Sequence, residues 1–317
     1  MNISEIQCFN DILLKFDTSI DYFILCKGSD RRAYEILRLL ESKPIRIIKI
    51  IFFDFKERFE ALNEQERIDY ENFPKIADKE ELIKVDKLSD YLKIINQIEP
   101  LISQLDKKTN FFIDITAFIK PHFFILIKLL KGKMLGGLLN IFYTEPEYYK
   151  FNKNLYDEYE YLKGFLDIQS IPGFLGSTSR GEDKILAILL GFEGNISSEI
   201  YEDVAPSNLT VINGVPSYLQ KFKDISILNN SRLIANTESI IYANATDPFK
   251  IFNKLSLLNS NNETKSIVIA PLGTKPMALG ACIFALKYPE VRVIYPYPEN
   301  FSTESNGSCS NSWIYRF

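Results

Sequence analysis

The chain has 317 residues, with 37 Lys and Arg against 41 Asp and Glu, a formal net charge of -4, and 46 % apolar and 25 % charged residues. That mix belongs to a globular protein and excludes disorder over the bulk of the chain. Net acidity argues against charge-driven wrapping of DNA, and the length suits two domains or one large α/β unit.

In chain order, nearly continuous apolar runs predict strands near 22–26, 46–53, 82–86, 110–115 and 139–143. The same rhythm returns near 185–190, 208–212, 238–243, 266–270 and 291–295. Such runs fit parallel strands covered on both faces, joined by helices. Gly-, Ser- and Pro-rich residues 164–183 read as the joint. A polar tail at 302–313 reads as a flap or surface loop before a short terminal strand, WIYRF.

The two halves also share residues at a nearly constant offset. SDYLKIINQI (89–98) matches TDPFKIFNKL (246–255), each a helix expected to open on a Ser or Thr cap with an acid in its first turn. NFFIDITAFIKP (110–121) matches KSIVIAPLGTKP (265–276), aligning Lys120 with Lys275 and Pro121 with Pro276. Pro146-Glu147 matches Pro298-Glu299. The expected fold is therefore α/β, two tandem Rossmann-like parallel-sheet halves from an internal duplication. The halves are 1–163 and 184–317, with a linker at 164–183.

The single His122 excludes a multi-His centre, and Cys8, Cys26, Cys282 and Cys309 form no C-x-x-C pair, so no metal site is expected. His122 lies between Pro121 and Phe123, a helix start running into core, and reads as a buried or capping residue. The G-x-x-x-x-G-K-[ST] and G-x-G-x-x-G spacings are absent, so neither a Walker-type site nor a dinucleotide cofactor is expected. The N-terminal residues lack a basic region followed by an apolar one. The greasiest region, 111–143, is broken by Asp114, Lys120, Lys128, Lys131 and Lys133. The chain is read as cytoplasmic, without a membrane partner and with reduced thiols.

Ligands of open parallel sheets bind beyond the carboxyl ends of the strands. Pro at a helix start puts Lys120 and Lys275 at or beside the N-cap, where positive charge is unfavourable unless an anion sits in front. Gly273 allows close backbone approach and Thr274 adds a hydroxyl, whereas the first half has Phe118 and Ile119 there. Arg31 and Arg32 suit bidentate phosphate recognition or a solvated helix start. Gly191 opens the corresponding loop of the second half. Glu193 and Asp114 are placed to act as acid or base, to hold a ribose hydroxyl, or to pair with the lysines, and Glu193 is the best catalytic candidate. Tyr143, Tyr148, Tyr149, Tyr295 and Tyr297 follow the last strands and could stack on a base or fill the rim.

Two Rossmann-like halves with basic loops at their carboxyl edges resemble the CARF-type nucleotide sensors of bacterial defence systems. The likeness is one of architecture and rests on the repeat and on segments 110–130 and 265–286. It implies a composite cleft for a cyclic oligonucleotide and an effector on another chain. Three readings stay open: a regulatory or sensor module binding a phosphate-bearing ligand, an enzyme acting on a nucleotide or phospho-substrate, and a non-catalytic subunit of a larger complex. The expected partners are an anionic small molecule or nucleotide and a protein partner or second copy, with a nucleic-acid end as a further ligand.

Overall fold

The computed structural model describes residues 6–8, 19–103, 109–133, 139–147, 162–176, 183–237, 240–301 and 309–317. The chain divides into two compact units, Met1–Lys150 with Thr303–Phe317, and Phe151–Ser302. The first begins with β1 (Ile6–Cys8), β2 (Ser19–Cys26), a short 3-10 helix (Arg31–Tyr34), α1 (Glu35–Glu41) and β3 (Arg46–Phe55). It continues with α2 (Lys56–Glu60), α3 (Glu64–Glu71), β4 (Ala77–Val85), α4 (Tyr91–Ser103), β5 (Phe111–Asp114), α5 (Lys120–Lys133) and β6 (Leu139–Pro146). The second begins with β7 (Leu162–Leu175), β8 (Lys184–Leu189), α6 (Gly194–Val204), β9 (Asn208–Gly214), α7 (Gln220–Asn229) and α8 (Ser231–Ile234). It continues with β10 (Ile240–Ala243), α9 (Pro248–Ser260), β11 (Ser266–Pro271), α10 (Lys275–Lys287) and β12 (Arg292–Phe301). The last strand, β13 (Cys309–Arg316), belongs to the first unit.

The two sheets repeat one strand order. Parallel strands run β4-β3-β2-β5-β6 in the first and β10-β9-β8-β11-β12 in the second. All ten strands expected from the apolar runs are present, and the fold is α/β in two Rossmann-like halves. The runs are apolar because both faces are covered: Phe23, Ile24, Ile50, Ile51, Ile185 and Leu186 are all almost fully buried.

The antiparallel strands are exchanged between the halves. β7 follows β6 in sequence but pairs with β12, whereas β13 follows β12 but pairs with β6 and, on its other side, β1. Each sheet is thus closed by the strand that comes after the other sheet's last parallel strand. This differs from the boundaries expected from the sequence in two places. Most of the described part of 164–183 is the edge strand β7 rather than a linker. Its Pro172 and Gly173 sit in an irregularity between two registers, Ile294 with Ser170 and Arg292 with Leu175, with Gly173 at φ 87°. Residues 309–317 complete the first sheet rather than the second, because Ile314, Tyr315 and Phe317 bury their side chains there. The proposed flap residues 302–308 lie outside the described residues.

Caps and packing explain the flanking helices. The caps of the matched helices are Asp90 and Asp247, one residue later than the expected Ser89 and Thr246. Asp90 accepts the Lys93 N–H, and Asp247 those of Phe249 and Lys250. A carboxylate meets both the unpaired amides and the positive helix end. Thr246 instead donates its hydroxyl to Asn244. α10 is buried from Pro276 to Ala285, and a Cβ on its Gly280 would lie 2.3 Å from the Pro248 carbonyl oxygen, so a side chain there would push α9 away. His122 is fully buried, donates Nε2–H to Leu88 O at 2.7 Å and stacks on Phe55 with centroids 4.5 Å apart. No helix among the described residues is long and apolar enough to cross a membrane.

Candidate functional site

The strand order reverses between β8 and β11 in the second half and between β2 and β5 in the first, the places where helices leave to opposite faces and a crevice opens. In the second half the two loops there touch backbone to backbone. A Cβ on Gly191 would lie 2.6 Å from Leu272 O, and one on Gly273 would lie 3.0 Å from Leu190 O. Any larger residue would wedge the loops apart, so these glycines serve close packing of the loops themselves.

The helix side holds the first loop in place. Gly191 O accepts the Ser226 hydroxyl at 2.9 Å and the Asn230 amide at 3.1 Å, and Phe192 O accepts the Asn229 amide at 2.8 Å. A trans peptide points its N–H opposite to its carbonyl. The N–H groups of Phe192 and Glu193 therefore face away from α7 and α8. Gly194 lies so close to this segment that a Cβ would stand 1.7 Å from Asn229 O. The Glu193 side chain curls back over the loop, with Oε2 2.9 Å from the Cβ position of Gly191.

The second loop leads into α10. Thr274 is its N-cap: Oγ1 accepts the Met277 N–H at 3.3 Å and donates to Ala245 O at 2.6 Å. The hydroxyl proton is therefore committed to the Ala245 carbonyl, and the cap organises the helix start. Lys275 is the first helical residue, half-buried, and Pro276 the second. A lysine here adds its charge to the positive helix end.

The matching place in the first half is built from larger groups. Gly28 N–H donates to Tyr34 Oη at 3.3 Å, Tyr34 donates to Tyr70 O at 2.6 Å, and Tyr70 donates to Asp54 at 2.8 Å. Burial pushes both phenols well above the usual tyrosine range, so they stay neutral donors. Lys27 is buried with Nζ 2.7 Å from Glu71 and 3.8 Å from Asp54, beside the rings of Tyr70 and Phe73. Arg58 donates to Lys27 O at 3.3 Å and to Ala117 O at 2.8 Å, joining the loop after β2 to the loop after β5.

The candidate residues from the sequence fall into two groups. Gly191, Glu193, Gly273, Thr274 and Lys275 share the carboxyl edge of the second sheet. Asp114, Lys120, Arg31 and Arg32 share that of the first. Arg32 is buried and bound to Asp30 through two nitrogens at 2.6 to 3.2 Å, a geometry that ties it to the 3-10 cap rather than to solvent. Arg31 is exposed. Asp114 is buried and accepts the Thr116 N–H at 2.8 Å, so it braces its own loop. Lys120 is half-buried at the first position of α5. Tyr143, Tyr295 and Tyr297 are buried, which leaves no open ring face for a base; Tyr148 and Tyr149 lie outside the described residues. Arg58, Glu71 and Tyr70 carry no signal in the sequence, because polar side chains on short helices between β3 and β4 read as an ordinary solvated face.

No protein-family model matches the chain, and no curated protein matches it. Its fold is similar to that of a DNA nuclease of type III CRISPR defence activated by cyclic oligoadenylate. The two align with a TM-score of 0.51 at 10 % sequence identity, over 87 % of this chain and 65 % of the nuclease. This chain thus spans just under two thirds of the nuclease's length, and at such identity the likeness concerns the fold alone. An N-terminal ketoreductase from a macrolactin assembly line aligns over 88 % of this chain and 69 % of its own at 12 % identity, with a TM-score of 0.25 that carries no argument.

Proposed function

We propose that the chain is a regulatory or sensor module that binds a phosphate-bearing ligand, a nucleotide or cyclic oligonucleotide, at the carboxyl edge of its second sheet. The observation that carries this reading is the start of α10: Lys275 stands at its first position, beside two glycine loops in backbone contact at the point where the strand order reverses. An anion in front of a helix start that carries a lysine meets both the ammonium and the positive helix end. The similarity of fold to a nuclease activated by cyclic oligoadenylate supports a role in bacterial anti-phage defence and a nucleotide as the ligand.

Thermal stabilisation of the full chain by mono-, di- and cyclic oligonucleotides tests the reading. A ligand at 100 times its Kd stabilises by about 2.7 kcal/mol, and Lys275→Ala should abolish the shift. Conversion of the bound probe to product would make the module an enzyme, with Glu193 as the carboxylate nearest the loops. No shift with any probe would favour a subunit whose ligand is another protein.

A further inference from the structure

We infer that the first half is a closed pseudosite, so that this chain takes a phosphate-bearing molecule on its second half alone. The inference rests on the proposed function for the second half and on four observations in the first.

The first observation concerns donors. A phosphate needs N–H groups and cations at the strand-order reversal. The Lys27 N–H, the first beyond β2, donates to Phe53 O at 2.9 Å, and the Gly28 N–H that follows donates to the Tyr34 hydroxyl at 3.3 Å. The second concerns charge. Lys27 is held by Glu71 and Asp54, and Arg32 by Asp30, so these cations are neutralised inside the protein. Lys27 is itself buried, and releasing it to a ligand would cost it the Glu71 and Asp54 carboxylates and its place beside the rings of Tyr70 and Phe73.

The third observation is the Arg58 clasp. Its guanidinium bridges the two loops, with hydrogen bonds to the carbonyls of Lys27 and Ala117 and to Cys26 Sγ at 3.3 Å. Those bonds fix the spacing of the two loops from within. The fourth is bulk. Phe118 and Ile119, both buried, occupy the sequence positions of Gly273 and Thr274, and the Phe118 ring packs edge-on against Phe53 at 5.4 Å. A side chain thus fills the first half's loop at Phe118, the position where Gly273 lets the second half's loops meet backbone to backbone.

Hydrogen–deuterium exchange on the full chain tests this, with the probe that stabilises the protein most among ATP, linear 5′-phosphorylated adenylates and cyclic oligoadenylates. Protection should rise about tenfold in peptides covering 190–195 and 271–278 and stay unchanged in those covering 26–34 and 115–121. Equal protection of both sets overturns the pseudosite and leaves the proposed function standing. Protection of the first set together with 26–34 alone overturns it as well. A stabilising probe that protects neither set, or no stabilising probe at all, removes the proposed function and this inference with it. Arg58→Met gives a second measurement: with its clasp gone, new protection of 26–34 by the probe would show that Arg58 closes the half.

Discussion

Glu145 accepts the indole N–H of Trp313 at 2.6 Å, joining residues 168 positions apart in the chain. Asn311 adds a bond to the other carboxylate oxygen at 3.3 Å, and the neighbouring hydroxyls of Thr144 and Ser312 meet at 2.9 Å. The seam between β6 and the exchanged strand β13 is therefore polar at the carboxyl end of β6, apolar through Phe142 and Ile314, and polar again where Arg316 donates to Asn140 Oδ1 at 3.0 Å.

Burial raises the Glu145 carboxyl above its usual range, more than the Trp313 and Asn311 hydrogen bonds lower it. A carboxyl whose folded pKa is raised binds its proton more tightly in the native state, so stability falls as pH climbs from the unfolded value through the folded one. Glu145→Gln keeps an acceptor for Trp313 and cannot ionise. Its Tm should approach that of the parent near pH 4 and exceed it by a margin that grows as pH rises through the folded pKa and then levels off. A parallel pair of Tm curves would show that the carboxylate is not penalised by its site.

Removing 309–317 should unfold the first unit selectively. Ile314, Tyr315 and Phe317 are at most 2 % exposed, and burying three such side chains contributes about 5–9 kcal/mol, comparable to the whole stability of a typical domain. Hydrogen exchange on the truncated chain is expected to lose protection in β5 and β6 while β8 and β11 keep theirs. Retained protection of β6 would mean that β13 only decorates the sheet.

Two glycines should respond oppositely to alanine. At Gly194 the new Cβ would lie 1.7 Å from Asn229 O, backbone that cannot swing aside, and the expected loss is about 3 kcal/mol or more. At Gly132, exposed near the end of α5, nothing stands within 4 Å of a Cβ, and Gly132→Ala should gain about 0.5–1 kcal/mol through helix propensity. Urea denaturation of both variants measures the difference.

The paired caps provide a symmetric control. Asp90→Ala and Asp247→Ala each remove a carboxylate that serves the first turn of its helix, and each should lose about 1 kcal/mol. Ser89→Ala should change stability little. A larger loss from Ser89→Ala than from Asp90→Ala, measured by urea denaturation, would return the cap to the serine.

The ten parallel strands were legible because a strand covered on both faces must be apolar along its length, as in IIKIIFF of β3. The apolar pattern marks only 82–86 of β4 (77–85), because this strand lies at a sheet edge and carries Asp78, Lys79, Glu80 and Glu81 on its exposed start. Gly164, Pro172 and Gly173 make β7 look like a linker in sequence, although an edge strand tolerates such residues where an inner strand does not. The partner of β13 was not legible at all, since pairing across the chain leaves no local trace in WIYRF. Among the site residues, the glycines and the Lys-Pro start were visible as a pattern. The Lys27, Glu71 and Arg58 network was not, because opposite charges on separate helices acquire meaning only when the fold brings them together.

The exchange of antiparallel strands also sets an order on synthesis. An N-terminal domain ordinarily folds while the rest of its chain is still being made. Here the outer edge of β6 has no partner until β13 has left the ribosome, after every strand of the second unit. An uncovered edge is a template for pairing with other chains. The nascent protein therefore carries an open first sheet through the translation of its whole second unit, and the emergence of its final strand ends that exposure.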